Sequence, residues 1–341
     1  MNILIIKLSA IGDVIHTLPS LAALRRLYPD AHITWVIEEA AADLIKDHPY
    51  LDRVVVSRRK SWIKELKRGR IAKPFGEIRS FIGEIKKIKY DLVIDFQGLF
   101  KSAVLVWLSS GKRKLGYASM QELSGLFLND RIPEDMTKHA VDRYLDFPRY
   151  LGADIKEVEF LVPVQDDHKQ RADKLLSANG ISAHHAYVAV NPIALWETKL
   201  WGNEKFACLC DKLIEELGMT VVFTDSGPEE INKIQAMMRQ PSVNLGGKTS
   251  LRDLACLYRG ARFLITTDSG PMHLAAAVGT PVCAIFGPTD PARTGPFGKG
   301  HLVTRKDLPC MPCFRKSCRD MTCMKELRVE DVFGRIKGRF F

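Results

Sequence analysis

The chain has 341 residues, 46% of them hydrophobic and 26% charged, which is enough for two domains with cores of their own and excludes a disordered or fibrous protein. Fifty Lys and Arg against forty Asp and Glu leave a formal charge of +10, pointing to an anionic partner such as a nucleotide, a nucleic acid, an acidic sugar or an anionic membrane. The surplus is local, because residues 53–89 hold thirteen basic and three acidic side chains and the rest of the chain balances.

No apolar run reaches the ~18–20 residues of a spanning helix, and the opening Met-Asn-Ile-Leu-Ile-Ile-Lys lacks a basic leader and a cleavage site, so the expected location is cytoplasmic. Cys208, Cys210, Cys256 and Cys283 sit singly in apolar segments, as reduced cysteines do in a reducing compartment.

Residues 2–8 form an apolar run broken only by Lys7, which predicts a strand buried on both faces. Val14, Leu18, Leu21, Leu24 and Leu27 then recur at helical spacing, and Tyr28-Pro29-Asp30 ends the helix. The alternation continues with a strand at 33–37, a helix at 40–46, a strand at 53–56, a helix at 75–88 and a strand at 92–95. A second series follows Gln165-Asp166-Asp167: a helix at 168–178, then strands at 187–190, 219–223, 263–266 and 282–286. Helices near 203–217, 228–238, 250–259 and 271–278 separate them, and 329–339 reads as a last amphipathic helix. Strands alternating with helices specify an α/β fold of two Rossmann-like doubly wound domains, 1–165 and 166–328, with 329–341 as a C-terminal helix. Ligands of such sheets bind beyond the carboxyl ends of the strands, so the loops there are the candidate sites.

In Thr266-Thr267-Asp268-Ser269-Gly270-Pro271-Met272-His273 an apolar strand enters a small-residue turn, and Pro271 stands where a first helical turn begins. Backbone N–H groups and the helix dipole there suit a phosphate, with His273 as an added donor; the same residues also fit an ordinary helix capped by Asp268 or Ser269. Lys199 lies on the loop after strand 187–190, and Asp225 to Glu230 follow the next strand, where an acidic group can take ribose hydroxyls or simply favour a helix N-terminus. Residues 286–291, with one Gly and two Pro, read as a tight turn at the end of the last strand.

In the first domain, Asp13 fits either a helix N-cap or a carboxylate able to accept a proton from a substrate hydroxyl. The loop 95–102 offers Gln97 and Lys101, and the basic stretch offers Arg58, Arg59, Lys60 and Lys64 around Trp62; Arg forks suit carboxylate and phosphate. Only one Gly follows the first strand, so the dinucleotide fingerprint is missing. Cys310, Cys313, Cys318 and Cys323 fall within fourteen residues, the density of a tetrahedral zinc site. Their spacing resembles a zinc knuckle, which hints at single-stranded nucleic acid; reduced or disulfide-bonded cysteines fit as well. A zinc-containing nucleic-acid-binding protein is therefore the competing class.

Residues 7–19 (Lys7-Leu8-Ser9-Ala10-Ile11-Gly12-Asp13-Val14-Ile15-His16-Thr17-Leu18-Pro19), the 95–102 loop, 267–273 and Phe286-Gly287-Pro288-Thr289-Asp290 together resemble glycosyltransferase family 9, the bacterial lipopolysaccharide heptosyltransferases. The resemblance implies a GT-B fold whose two Rossmann-like domains face across a cleft, with the final helix packing back on the first domain. It implies inverting transfer of heptose from an ADP-activated sugar to a Kdo-lipid A type acidic glycolipid, with no metal or other cofactor required and no nucleic acid. Asp13 would be the general base and Lys199 would act on the diphosphate. Asp268, Ser269, Gly270 and His273 would hold the donor's diphosphate, with Glu230, or else Glu229, on the ribose. Arg58, Arg59, Lys60, Lys64, Lys101 and Arg143 would bind the acceptor, at the cytosolic face of the bacterial inner membrane. The strand end 35–39 and Arg58-Arg59-Lys60 are more similar to type I enzymes than to type II. Against that, Gln121 or Glu122 stands where type I enzymes carry an Arg, and the Cys310–Cys323 cluster is more similar to type II.

Overall fold

Apolar runs that open each α/β repeat become the central strands of two parallel sheets. The computed structural model describes every residue except 120–122 and 183–184, so Gln121 and Glu122 lie outside the described residues. The chain divides into Met1–Pro163 and Val164–Phe341. In the first unit, β1 (Asn2–Ile6), β2 (His32–Glu38), β3 (Arg53–Ser57), β4 (Leu92–Asp95), β5 (Arg113–Tyr117) and β6 (Asp130–Ile132) are ordered 3-2-1-4-5-6. In the second, β7 (Tyr187–Asn191), β8 (Thr220–Phe223), β9 (Val243–Asn244), β10 (Phe263–Thr267), β11 (Val282–Ile285) and β12 (Leu302–Thr304) repeat that order, with β7 and β10 at the centre. Both are Rossmann-like doubly wound sheets, the α/β architecture of the GT-B class.

Register decides which loops meet. Ile6 pairs with Val36 on one side and Asp95 on the other, so the loops that follow β1, β2 and β4 start side by side. Thr266 pairs with Asn191 and Thr267 with Ile285, which does the same for the loops after β7, β10 and β11. Ile3 to Ile6 and Val282 to Ile285 are fully buried, as strands covered by helices on both faces must be.

Some elements differ from the sequence expectation. Residues 59–67, to which the sequence pattern assigns no element, form the helix Arg59–Lys67, in which only Trp62 is buried, so there is no apolar period to detect. The next helix starts at Ala72 rather than 75, with Pro74 in its first turn. The helix expected at 40–46 is a single turn, Glu39–Ala42. The first helix begins at Ile11, which moves Asp13 inside it. The final helix, Val329–Phe340, places Val329, Val332, Phe333 and Ile336 in the second unit's own core. Those side chains pack with residues such as Phe206, Leu213 and Leu327.

Candidate functional site

The loops at the carboxyl ends of the first sheet gather around a buried lysine. Lys7 is 2% exposed and its Nζ donates to the Phe96 carbonyl at 3.1 Å and the Tyr144 hydroxyl at 2.7 Å. Asp13 Oδ2 lies 3.6 Å from that Nζ, and the Asp13 side chain is 42% exposed. Burial holds the Lys7 ammonium below the usual lysine range, opposed by Asp13 and Asp95. Asp13 is not the N-cap, which is Ala10; it stands one turn in and accepts from the Ala10 N–H at 3.4 Å. One carboxylate is thus anchored from behind and open in front, the arrangement a proton acceptor needs.

The 95–102 loop builds the floor under this turn. Asp95, 1% exposed, accepts from the Gln97 and Gly98 N–H groups at 2.9 and 3.1 Å and from the Ser102 hydroxyl at 2.8 Å. Burial pushes its carboxyl above the ordinary range, and these donors oppose the shift. Gly98 supplies the left-handed φ of 64° that the turn requires. Gln97 Oε1 then accepts from the Leu8 and Ser9 N–H groups at 3.0 and 3.1 Å, so it supports the turn that carries Asp13.

Glu38, 3% exposed at the end of β2, organises the basic side chains. Its Oε1 accepts from Arg59 and from Lys101, each at 3.2 Å, and Oε2 lies 3.9 Å from Lys60 Nζ. Lys101 also donates to Ser9 Oγ at 2.7 Å. Three cations on one carboxylate leave an excess of positive charge around Glu38, joined to the turn before Asp13 by the Lys101–Ser9 bond. Arg58 is held elsewhere, by Glu39 at 3.1 Å and Glu77 at 3.3 Å. It shares with Lys64, Arg68 and Lys73 a groove of about 240 Å³. Arg143 is 11% exposed and donates to Glu134 at 2.7 Å. The sequence reading did not give roles to Lys7 or Glu38; the signal was a charge at or next to the end of an apolar strand.

In the second unit, Lys199 and Asp268 come together, but on each other: Nζ to Oδ2 is 2.6 Å, with the side chains 15% and 6% exposed. Thr289 donates to the same Asp268 oxygen at 2.6 Å. Lys199 Nζ also lies 4.5 Å from the Trp196 ring centroid. Ser269 is the N-cap of helix Gly270–Ala277 but turns its hydroxyl to Thr266 at 3.1 Å, so no side chain caps that end. Gly270 opens the helix, and His273 is buried within it. Glu230 accepts from Asn203 at 2.6 Å and Lys233 at 2.8 Å, which hold its carboxyl below the usual range.

Cys310, Cys313, Cys318 and Cys323 are free thiols lining one cavity of about 320 Å³ with Thr198 and Pro288. Among the described residues no three His, Cys, Asp or Glu side chains converge as a metal site, which corrects the zinc expectation. Burial, with the neighbouring Cys313, Cys310 and Cys318, pushes the Cys323 thiol above its ordinary range. The segment braces the loops after β7 and β11: the Cys313 and Phe314 N–H groups donate to the Pro288 carbonyl, and Thr198 donates to the Arg315 carbonyl at 2.7 Å. Gly287 has no room for a side chain, since a Cβ would lie 2.9 Å from the Thr198 carbonyl oxygen.

No helix is long and apolar enough to cross a membrane among the described residues. A sequence profile described as glycosyltransferase family 9 (heptosyltransferase) matches residues 78–323. Lipopolysaccharide heptosyltransferase 1 of Pseudomonas aeruginosa is 32% identical over 344 residues, covering 97% of this chain and 91% of that protein. The protein of that description from Escherichia coli K12 is 30% identical over 310 residues, 89% of this chain and 93% of its own. The solved structure of Escherichia coli heptosyltransferase WaaC with ADP superposes with a TM-score of 0.79 at 27% identity, over 99% of this chain and 100% of that one.

Proposed function

Because the chain belongs to glycosyltransferase family 9, we propose that it moves heptose from ADP-L-glycero-D-manno-heptose to the Kdo region of the lipopolysaccharide inner core, inverting the anomeric centre without a metal ion. The observation that carries this reading is the half-exposed Asp13 carboxylate, backed by buried Lys7, on the turn that Lys101 holds through Ser9. The names of the Pseudomonas and Escherichia relatives, and the ADP bound to WaaC, supply the donor and the sugar class.

Asp13 takes the proton of the acceptor hydroxyl as its oxygen attacks the anomeric carbon. The bond from that carbon to the diphosphate oxygen breaks, and ADP leaves with added negative charge. Lys199 and the uncapped N-terminus of helix Gly270–Ala277 stabilise that charge, as a metal does in other transferases. Asp268 and Thr289 keep the lysine in place. Glu230 binds the ribose, while Ser269 and His273 complete the diphosphate turn. The anomeric carbon becomes oxocarbenium-like, as in glycoside hydrolysis.

Arg59, Lys60 and Lys101, with Arg58, Lys64 and Arg143, bind the carboxylates and phosphates of a Kdo-lipid A type acceptor. The enzyme works at the cytosolic face of the inner membrane as a peripheral protein. Mixing it with ADP-heptose and Kdo-lipid A and measuring released ADP tests the reading. Release with Kdo-lipid A supports a type I enzyme; release only with the monoheptosylated acceptor makes it type II, and none with either overturns the assignment.

A further inference from the structure

Four large apolar side chains stand exposed between residues 63 and 75: Ile63 (41%), Leu66 (43%), Ile71 (66%) and Phe75 (68%). On helix Arg59–Lys67, Ile63 and Leu66 are three residues apart, and Lys60 and Lys67 lie three before and four after Ile63 on that face. Trp62 is turned inward. On the next helix, Ala72–Lys86, Phe75 stands one turn after Ile71 and one turn before the exposed Arg79. Lys64, Lys67, Arg68, Arg70 and Lys73 are interleaved with the four, against one carboxylate, Glu65, which Arg68 and Arg70 already hold at 3.4 and 3.0 Å.

Single exposed apolar residues need no explanation. Four of them alternating with five cations on two consecutive helices and the turn between them are a different matter. Protein interfaces are depleted in Lys at their centres, and nucleic-acid surfaces use stacking rings rather than Ile and Leu. A bilayer surface accepts both components at once, since apolar side chains enter the headgroup boundary while ammonium and guanidinium groups meet phosphates. We infer that helices Arg59–Lys67 and Ala72–Lys86 form the surface by which this protein seats on a membrane rich in anionic phospholipid. The inference rests on the proposed lipid-borne acceptor for its purpose. The surface would bring the Arg58–Lys64 groove down to the headgroup level where such an acceptor's phosphates lie.

Co-sedimentation of the full chain with vesicles tests it, comparing phosphatidylglycerol/phosphatidylethanolamine with pure phosphatidylcholine. Binding to the anionic vesicles alone, reversed by high salt, is expected. Lys67→Gln/Arg70→Gln should weaken it about fivefold per cation removed, and Ile71→Ser/Phe75→Ser about tenfold or more. All four positions are exposed, so unchanged thermal melts and unchanged ADP release on a deacylated, water-soluble acceptor are expected alongside. Equal binding to neutral vesicles, or binding that neither double variant weakens, overturns the inference. A dimer that Ile71→Ser/Phe75→Ser dissociates overturns it in favour of a second copy of the chain. If vesicle binding behaves as expected while no acceptor yields ADP, the transferase reading fails and the membrane surface stands.

Discussion

Replacing Lys199 by Met separates its ion pair with Asp268 from its proposed role on the leaving group. Met keeps most of the stem that lies by Trp196 and removes the charge 2.6 Å from Asp268. At an effective dielectric constant near 20, that separation corresponds to about 6 kcal/mol of direct attraction, before the desolvation that offsets much of it. Removing one member of a buried pair costs about 3–5 kcal/mol. The lower end applies here, because Asp268 keeps the Thr289 hydroxyl at 2.6 Å. Turnover should fall about 10²–10³-fold, the usual loss when one preorganised group is taken from a developing anion. Adding Asp268→Asn removes the stranded carboxylate, so the double variant should regain most of the urea midpoint and none of the rate of ADP release. Recovery of both together would refute a role for Lys199 on the leaving group and leave it only a structural one.

Asp13→Asn keeps the Lys7 bonds to Phe96 and Tyr144 but removes the proton acceptor; turnover should fall about 10²–10⁴-fold with ADP binding intact, and normal turnover excludes Asp13 as the base. Gln97→Ala strips the acceptor from the Leu8 and Ser9 N–H groups and should cost about 1–3 kcal/mol in a urea titration. Burial lowers the pKa of His48 to about 4, and its Nδ1 accepts from the Tyr50 N–H at 3.1 Å. The unfolded chain therefore binds a proton between about pH 6.5 and 4 that the native state does not, and stability should decline across that window by about 3 kcal/mol as pH falls. Thermal melts of His48→Gln should lack that part of the slope. Dialysis against EDTA should leave ADP release unchanged, whereas a loss restored by zinc would reverse the metal-free mechanism.

How far the sequence could be read depended on where each element spends its side chains. β1, β4, β7, β10 and β11 were plain as apolar runs because helices cover both their faces. The loops at their carboxyl ends, and so Asp13, Gln97, Lys101, Lys199 and Asp268, followed from that topology. β5, β6, β9 and β12 were not visible, since Arg113–Tyr117 opens with two basic residues and the others have only two or three residues. Partnership was the harder quantity. Lys7 owes its position to Tyr144, 137 residues away, and nothing local in an apolar strand announces such a bond. Lys199 and Asp268 were both expected to face a diphosphate, whereas through space each is the other's counter-ion.

The two lysine–aspartate pairs differ in a way that matches their proposed tasks. In the first unit the cation is the hidden member, Lys7 at 2%, and the carboxylate is open, Asp13 at 42%. In the second the carboxylate is the more hidden member, Asp268 at 6%, and Lys199 the more open, at 15%. A buried partner fixes its mate through low-dielectric attraction, so each pair presents outward the group held by the one inside. The side that must remove a proton from a hydroxyl shows a carboxylate, and the side that must receive a departing diphosphate shows an ammonium. Exchanging the open groups would defeat both: an ammonium at position 13 cannot accept the hydroxyl proton, and a carboxylate at position 199 would repel the leaving group. The local surplus of ten positive charges in residues 53–89 lies outside both pairs, which leaves it for the proposed acidic acceptor and the proposed membrane surface.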